Sequence, residues 1–347
     1  MSKISEDFLT SIAKEHHVSD AEFDALRLAL SGQTAEESSA VLEISAVAVR
    51  KRLGSIYQKF SLAGNTPGKL EALKSLLNEK YQSSQISDIQ PRKDWGEAVD
   101  VSDFYGRKWE LEILEQWTIK KHCRLVALLG MGGIGKTALS IKLAQKIERE
   151  YDFVVWRSLR SAPPVKEVLA DLIKFFSNGQ ETDLPEDVAG RTKKLINKYL
   201  RENHCLIVLD NLESILKSGT RAGAYKDEYK DYGEFLRLIG EMPHSSCVVL
   251  TSREKPKEVA SLEGINRPTR VLQLKGLKEA GKEIFKAEGL SEAENEWSEL
   301  IEHCAGNPLA LRIATTTIRE LFGGNITQFV KQGLKTFGDI RDLLEEQ

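Results

Sequence analysis

An α/β fold, with a parallel sheet covered by helices on both faces and all-α segments at either end, is predicted here by three observations. Short apolar runs at 125–129, 153–156, 206–210, 247–251 and 271–274 are of strand length and apolar at nearly every position. Amphipathic stretches of helical period separate them, the alternation expected of parallel strands joined by crossover helices. Outside 102–276 the strand pattern is absent and apolar residues recur at helical spacing.

Composition agrees with this and excludes other classes. The chain has 347 residues, enough for two or three domains. With 41% hydrophobic and 29% charged residues and a mean hydropathy of −0.33, it reads as a soluble globular protein, neither disordered nor fibrous. The longest apolar stretch, 125–134, is broken by glycines and falls far short of the roughly 20 residues of a membrane span. The N-terminus is polar and charged and does not resemble a secretion signal, so a cytoplasmic protein with no membrane partner is expected. Cys123, Cys205, Cys247 and Cys304 are far apart in sequence, which fits reduced thiols and argues against a zinc site.

Residues 1–81 read as a small helical domain. Apolar positions Phe23, Leu26 and Leu30, then Val41 and Leu42, then Val47, Val49, Leu53, Ile56, Tyr57 and Phe60 keep helical spacing, with breaks at 31–32, 43–45 and 63–68. Ser45 is placed to cap the third of these helices. Charge is segregated within the domain: residues 1–44 carry three bases against nine acids, and 45–80 seven bases against two acids. That asymmetry suggests a face that meets an anion. Residues 82–101 lose the periodicity and read as a linker. The sheet domain spans 102–276, and 277–335 reads as a helical subdomain with helices at 278–288, 291–303, 308–322 and 326–335. Trp95 and Trp109 read as packing anchors, and His16 and His17 as solvated surface.

The strongest chemical signal is Gly130-Met131-Gly132-Gly133-Ile134-Gly135-Lys136-Thr137, a match to GxxxxGK(S/T) between an expected strand and an expected helix. Glycines let backbone N–H groups curl around phosphate oxygens, and the helix N-terminus adds its positive dipole end. Lys136 then reaches the β- and γ-phosphates, and the Thr137 hydroxyl ligates Mg²⁺. Asp210, ending an apolar strand, is the carboxylate that holds the metal through water, with a helix cap as the alternative reading. Asn211 follows, where many hydrolysing relatives place a second carboxylate. An amide cannot accept the attacking water's proton, so turnover of about 10⁻⁴ to 10⁻² s⁻¹ is expected. Glu213 either reaches back toward the site or is a solvated residue opening the next helix. Arg253, at the carboxyl end of its strand, reads the γ-phosphate or forms a surface ion pair.

GMGGIGKTAL, LIVLDN, Thr251-Ser252-Arg253 and Gly306-Asn307-Pro308-Leu309-Ala310-Leu311 stand in the order and spacing of the NB-ARC domain of the STAND ATPases, which residues 102–335 resemble. Asp103-Phe104-Tyr105-Gly106-Arg107 resembles that family's entry motif. The resemblance implies a P-loop core that binds ATP or ADP with Mg²⁺. Phe104, Tyr105 and Arg107 would lie near the adenine, and Gly132, Gly133, Ile134, Gly135, Lys136, Thr137 and Ala138 would hold the phosphates. Thr137 and Asp210 would hold the metal, Lys136, Asp210 and Arg253 would act in catalysis, and Pro308 and Leu309 would pack near base or ribose. A proline after Asn307 is also ordinary chemistry for a helix start.

In that family ADP is held between the P-loop domain, the helical subdomain and a winged-helix domain, and exchange for ATP opens the molecule and lets it form homo-oligomers. Residues 336–347 resemble only the beginning of the winged helix. The resemblance therefore implies either a piece of a longer protein or a partner that supplies sensing, with a weaker ADP lock. Residues 32–60 resemble the helix-turn-helix of LuxR/FixJ-type regulators, with 45–60 as the recognition helix. Arg50, Lys51 and Arg52 would meet DNA or, as in similar modules joined to NB-ARC domains in cyanobacterial proteins, a protein partner. The function expected is a slow ATPase switch with helix-turn-helix output. The alternative is a DNA-binding regulator that uses nucleotide only to set its oligomeric state.

Overall fold

The computed structural model describes residues 4, 6–62, 68–87, 91–217, 223–290 and 294–330. The chain divides into two compact units, Met1–Gln90 and Pro91–Gln347. The expected winged-helix start at 336–347 lies outside the described residues.

In the first unit run α1 (Glu6–Glu15), α2 (Asp20–Leu30), α3 (Ala35–Leu42), α4 (Ala46–Lys59) and α5 (Lys69–Ser87). Their starts are set by local chemistry. Ser19 and Thr34 each form a reciprocal capping box, with Glu22 and Glu37, and the Ser45 side chain accepts from the Ala48 N–H at 3.2 Å. Leu9, Ile12, Leu26, Ile56, Phe60, Leu73 and Leu77 form the core. Val49 is buried as expected, whereas Val47 is 71% exposed. Two residues apart on a helix, the pair points to nearly opposite sides, so one packs and the other cannot. His16 is not free surface: its ring stacks on Phe60 at 4.1 Å.

The segregated charge has a largely internal explanation. Lys59 pairs with Glu22 at 2.5 Å, Lys80 with Glu15 at 3.9 Å, and Arg50 with Glu36. Arg52 donates to the Ala21 carbonyl at 3.2 Å. Acids of α1 to α3 thus face bases of α4 and α5, and the asymmetry along the sequence becomes complementarity in space.

The second unit is built on β1 (Arg92–Asp94), β2 (Leu125–Leu129), β3 (Phe153–Ser158), β4 (Cys205–Asp210), β5 (Cys247–Ser252) and β6 (Thr269–Gln273). They form one six-stranded sheet in the order β1-β3-β4-β5-β2-β6, with every pairing parallel. Side chains of β2 alternate between two cores: Leu125, Ala127 and Leu129 on one face, Val126 and Leu128 on the other. Burial on both faces explains why the strands read as continuous apolar runs. The sheet is flanked by α6 (Lys108–Glu115), α7 (Lys136–Ile147), α8 (Val165–Phe176), α9 (Val188–Leu195), α10 (Asp231–Glu241) and α11 (Lys257–Leu262).

The stretch expected as a linker over 82–101 is structured in part. Helix α5 runs on to Ser87, and Arg92–Asp94 forms edge strand β1 against β3, with Arg92 opposite Phe153. A three-residue edge strand of charged residues has no apolar signature, since only its backbone joins the sheet. Its side chains form ion pairs instead: Asp94 with Arg157 at 2.6 Å and Lys93 with Glu148 at 2.5 Å. Trp109, expected as a packing anchor, is 62% exposed, on a helix that buries Leu114. Beyond the sheet follow α12 (Lys282–Ala287), α13 (Glu294–His303) and α14 (Pro308–Leu321), packed around Phe285, Trp297, Leu300 and Leu311.

Replacing Thr34 by Ala removes one acceptor from the α3 capping box and should lower stability by about 1 kcal/mol. Guanidinium unfolding followed by circular dichroism checks this, and an unchanged midpoint would show that α3 does not depend on its cap.

Candidate functional site

The register of three neighbouring strands assembles the site. Leu209 of β4 lies opposite Leu250 of β5, so the following residues, Asp210 and Thr251, are level. The Thr251 hydroxyl donates to Asp210 Oδ1 at 2.6 Å. On the other side of β5, Leu129 of β2 lies opposite Ser252, and the Gly130 N–H donates to the Ser252 carbonyl at 3.2 Å. The glycine loop, Asp210 and Arg253 therefore emerge together at the carboxyl edge of the sheet, where ligands of open α/β sheets bind.

Asp210 is 1% exposed. Burial pushes its carboxyl up from the ordinary range, opposed by hydrogen bonds from Thr251 and Thr137. The Thr137 hydroxyl lies 2.9 Å from Oδ2 and 3.0 Å from Oδ1. A hydroxyl and a carboxylate side by side form a hard oxygen donor pair suited to Mg²⁺, which completes its shell with phosphate and water. Asn211 follows in the left-handed region at φ 64°, a conformation that Asn tolerates, and its N–H donates to the Thr251 hydroxyl at 2.9 Å.

Lys136 opens α7 and is 7% exposed. Burial pushes its ammonium pKa down, and Glu213 pulls it back up. Its Nζ donates to the carbonyls of Gly130 at 2.8 Å and Met131 at 3.1 Å, folded over the loop that it serves. Glu213 does reach back: its Oε1 lies 3.9 Å from Lys136 Nζ and 3.5 Å from Arg253 Nε. Its Oε2 is buried and makes no hydrogen bond. A carboxylate thus stands between the two cations that a phosphate chain would approach.

These groups line a cavity of about 620 Å³, the scale of small-molecule and cofactor sites. Phe104, Tyr105, Arg107, Gly132, Gly133, Ile134, Gly135, Lys136, Thr137, Ala138, Arg253, Pro308 and Leu309 all lie in its wall. Asp210 lies beneath, bonded to Thr137. Arg107 is 6% exposed, and its guanidinium is taken by the Ile134 carbonyl at 3.0 Å and Glu110 at 2.7 Å. Its role at this site is to fasten the entry segment to the loop. Arg50, Lys51 and Arg52 belong to the other unit. Sequence reasoning missed Val99, Val101, Leu277, Ile284 and Arg312, which also line the cavity. Arg312 alone carried a readable signal, lying one residue past the Gly306–Leu311 run. Its guanidinium donates to the Asp103 carbonyl at 2.8 Å.

A glycine loop between strand and helix, a Thr–Asp pair at its mouth and a parallel sheet beneath define a P-loop nucleotide-binding protein. Residues 108–217 match the NB-ARC domain family, so the chain carries an NB-ARC domain within a P-loop fold. An uncharacterized WD repeat-containing protein of Nostoc sp. is 49% identical over 279 residues, covering 77% of this chain and 22% of that protein. Disease resistance protein RPM1 of Arabidopsis thaliana is 29% identical over 94 residues, covering 25% of this chain and 10% of that protein. The chain thus spans less than a quarter of the length of either relative. Among solved structures, a STAND protein with a tetratricopeptide repeat sensor from Pyrococcus horikoshii is similar at 20% identity and a TM-score of 0.40, covering 63% of this chain and 30% of that one. No helix among the described residues is long and apolar enough to cross a membrane.

Glu213→Gln removes the negative charge between Lys136 and Arg253. Affinity for ATP should rise several-fold, most at low salt where Coulombic terms are least screened. Binding titrations at two ionic strengths check this, and weaker binding would mean that the carboxylate assists the ligand.

Proposed function

We propose that this chain is an ATP/ADP switch with slow Mg²⁺-dependent hydrolysis, its nucleotide state governing self-association and an output through the N-terminal helices. One observation carries the reading. Lys136, Thr137 and Arg253, with Asp210 bonded to Thr137 beneath them, converge on a single cavity that Pro308, Leu309 and Arg312 of α14 also line. A ligand there touches both the sheet domain and the helical segment and can bias their arrangement. We assign Thr137 and Asp210 to Mg²⁺, Lys136 to the phosphates, Arg253 to the γ-phosphate, and Phe104, Tyr105 and Pro308 to the nucleoside. Asn211 supports slow turnover, because the position after Asp210 offers no proton acceptor.

For the output we propose a helix-turn-helix made by α3 and α4 whose partner is a protein. Arg50 and Arg52 are engaged within their own unit, and residues 1–90 carry ten bases against twelve acids rather than the strong basic excess of a DNA reader. Val41 and Val47, 59% and 71% exposed, offer apolar contacts on those two helices.

Lys136→Ala should abolish or strongly reduce binding of ATP and ADP, and Arg253→Ala should weaken ATP while sparing ADP. Calorimetric titration of both nucleotides checks each. Unchanged affinity in the first variant removes the P-loop assignment, and equal losses in the second remove the γ-phosphate role. Mobility-shift titration with duplex DNA at 50 and 200 mM salt should show no salt-dependent complex; a complex weakened when Arg50, Lys51 and Arg52 are replaced would establish DNA as the partner.

A further inference from the structure

We propose that Asn307 is a positioning residue for the phosphate loop, its side-chain amide holding the Gly132 carbonyl so that the Gly133 N–H is presented to the phosphates. The inference rests on the reading of the cavity as a nucleotide site. Asn307 is 5% exposed, and both ends of its amide are used. Oδ1 caps α14, accepting from the N–H groups of Leu309 at 3.0 Å and Ala310 at 3.4 Å. Nδ2 donates to the Gly132 carbonyl at 2.8 Å. Capping alone is served as well by Ser or Asp. Aspartate offers no donor and serine has less reach, so the pair of contacts selects the amide.

The peptide plane turns this contact into a statement about the binding site. No peptide bond among the described residues is cis, and across a planar trans peptide the C=O and N–H point in opposite directions. Asn307 lies in the wall of a separate, mostly apolar cavity of about 200 Å³, with Met131, Ile134, Leu274 and Cys304. Gly132 and Gly133 line the larger nucleotide cavity. Holding the Gly132 carbonyl toward Asn307 therefore turns the Gly133 N–H away from it, toward the larger cavity. A peptide flanked by two glycines is otherwise free to invert, since neither residue bars positive φ. The fit is close: Gly133 has φ 73°, and a Cβ there would stand 2.8 Å from Leu309 Cβ and 2.9 Å from Asn307 Oδ1.

Asn307→Asp keeps size and cap but loses the donor; Asn307→Ser keeps the cap without adding charge. The test is competition of ADP, inorganic pyrophosphate and adenosine against a fluorescent ADP analogue, on the whole chain, with melting curves to verify folding. Both variants should bind ADP and pyrophosphate about tenfold or more weakly, with adenosine unchanged within about twofold. A merely structural role for Asn307 would displace α14 and lower adenosine binding in proportion, overturning the proposal. A loss confined to the Asp variant would be a charge effect and would overturn it equally, and the neutral variant decides the matter alone where the acidic one fails to fold. Failure of the unaltered chain to bind ADP strikes the nucleotide reading itself, whereas normal binding by both variants strikes only the role of Asn307.

Discussion

The hydrogen bond between Thr251 and the buried Asp210 is the constraint on which the rest of the site depends. It exists because β4 and β5 are in parallel register, and it fixes that register in return. A slip by one residue would turn Asp210 to the other face of the sheet and leave a carboxylate in an apolar core. Through β5 the same register governs β2, and hence where the glycine loop begins. The Asn211 N–H uses the Thr251 hydroxyl as its acceptor, so the chain leaving β4 is tied to the same point. One hydroxyl thus organises the buried carboxylate that we assign to Mg²⁺, the turn after it and the strand that carries Arg253.

Electrostatics around that frame are balanced within the protein itself. Lys136 and Arg253 face Asp210 and Glu213, two bases against two acids in largely desolvated surroundings. Desolvation disfavours both charged forms, and mutual pairing offsets part of the cost. On the proposed reading, phosphates would compete with the Gly130 and Met131 carbonyls for Lys136 and with Glu213 for both cations, and Mg²⁺ would compete with the Thr137 hydroxyl for Asp210. Affinity would then be a difference between two arrangements, of which the ligand-free one is only partly paired: Glu213 Oε2, Arg253 Nε and Ser252 Oγ are buried without a hydrogen-bond partner.

How much of this was legible in the sequence follows from how each feature is encoded. Strands β2 to β6 are apolar because they are buried, and the loop is rich in glycine because backbone must curl there, so both could be read locally. Lys136 and Thr137 were read from the loop motif and Asp210 and Arg253 from the ends of their strands, and the structure brings all four together. Edge strand β1 was not read, because Arg92, Lys93 and Asp94 contribute backbone to the sheet, while the Lys93 and Asp94 side chains enter ion pairs and Arg92 lies over the Phe175 ring. Nor did the order of charges along residues 1–80 show that Glu22 would meet Lys59, a pairing across 37 positions. Val99, Leu277 and Ile284 are ordinary apolar residues that tertiary structure alone brings to the cavity. For Glu213 the sequence left two readings, and only the 3D arrangement decides between them.

The helical segment after the sheet bears on function through a small set of polar contacts. Asn307 donates to Gly132, the Leu309 N–H reaches the Gly133 carbonyl at 3.4 Å, Arg312 donates to Asp103, and the Gly106 N–H reaches Glu283 at 3.3 Å. Two of these grip the phosphate loop and two grip the entry segment. Net contributions of about 0.5–1.5 kcal/mol per hydrogen bond, with more where a charged group takes part, make the set worth a few kcal/mol. That is comparable with the roughly 5.5 kcal/mol of differential affinity needed to move a two-state equilibrium from 1:99 to 99:1. A ligand in the cavity acts on both ends of these contacts at once, through the loop that holds its phosphates and through the helix start beside Pro308. On the proposed switch reading, contacts of this size are within the range that a ligand's differential affinity for two arrangements of α14 would have to overcome.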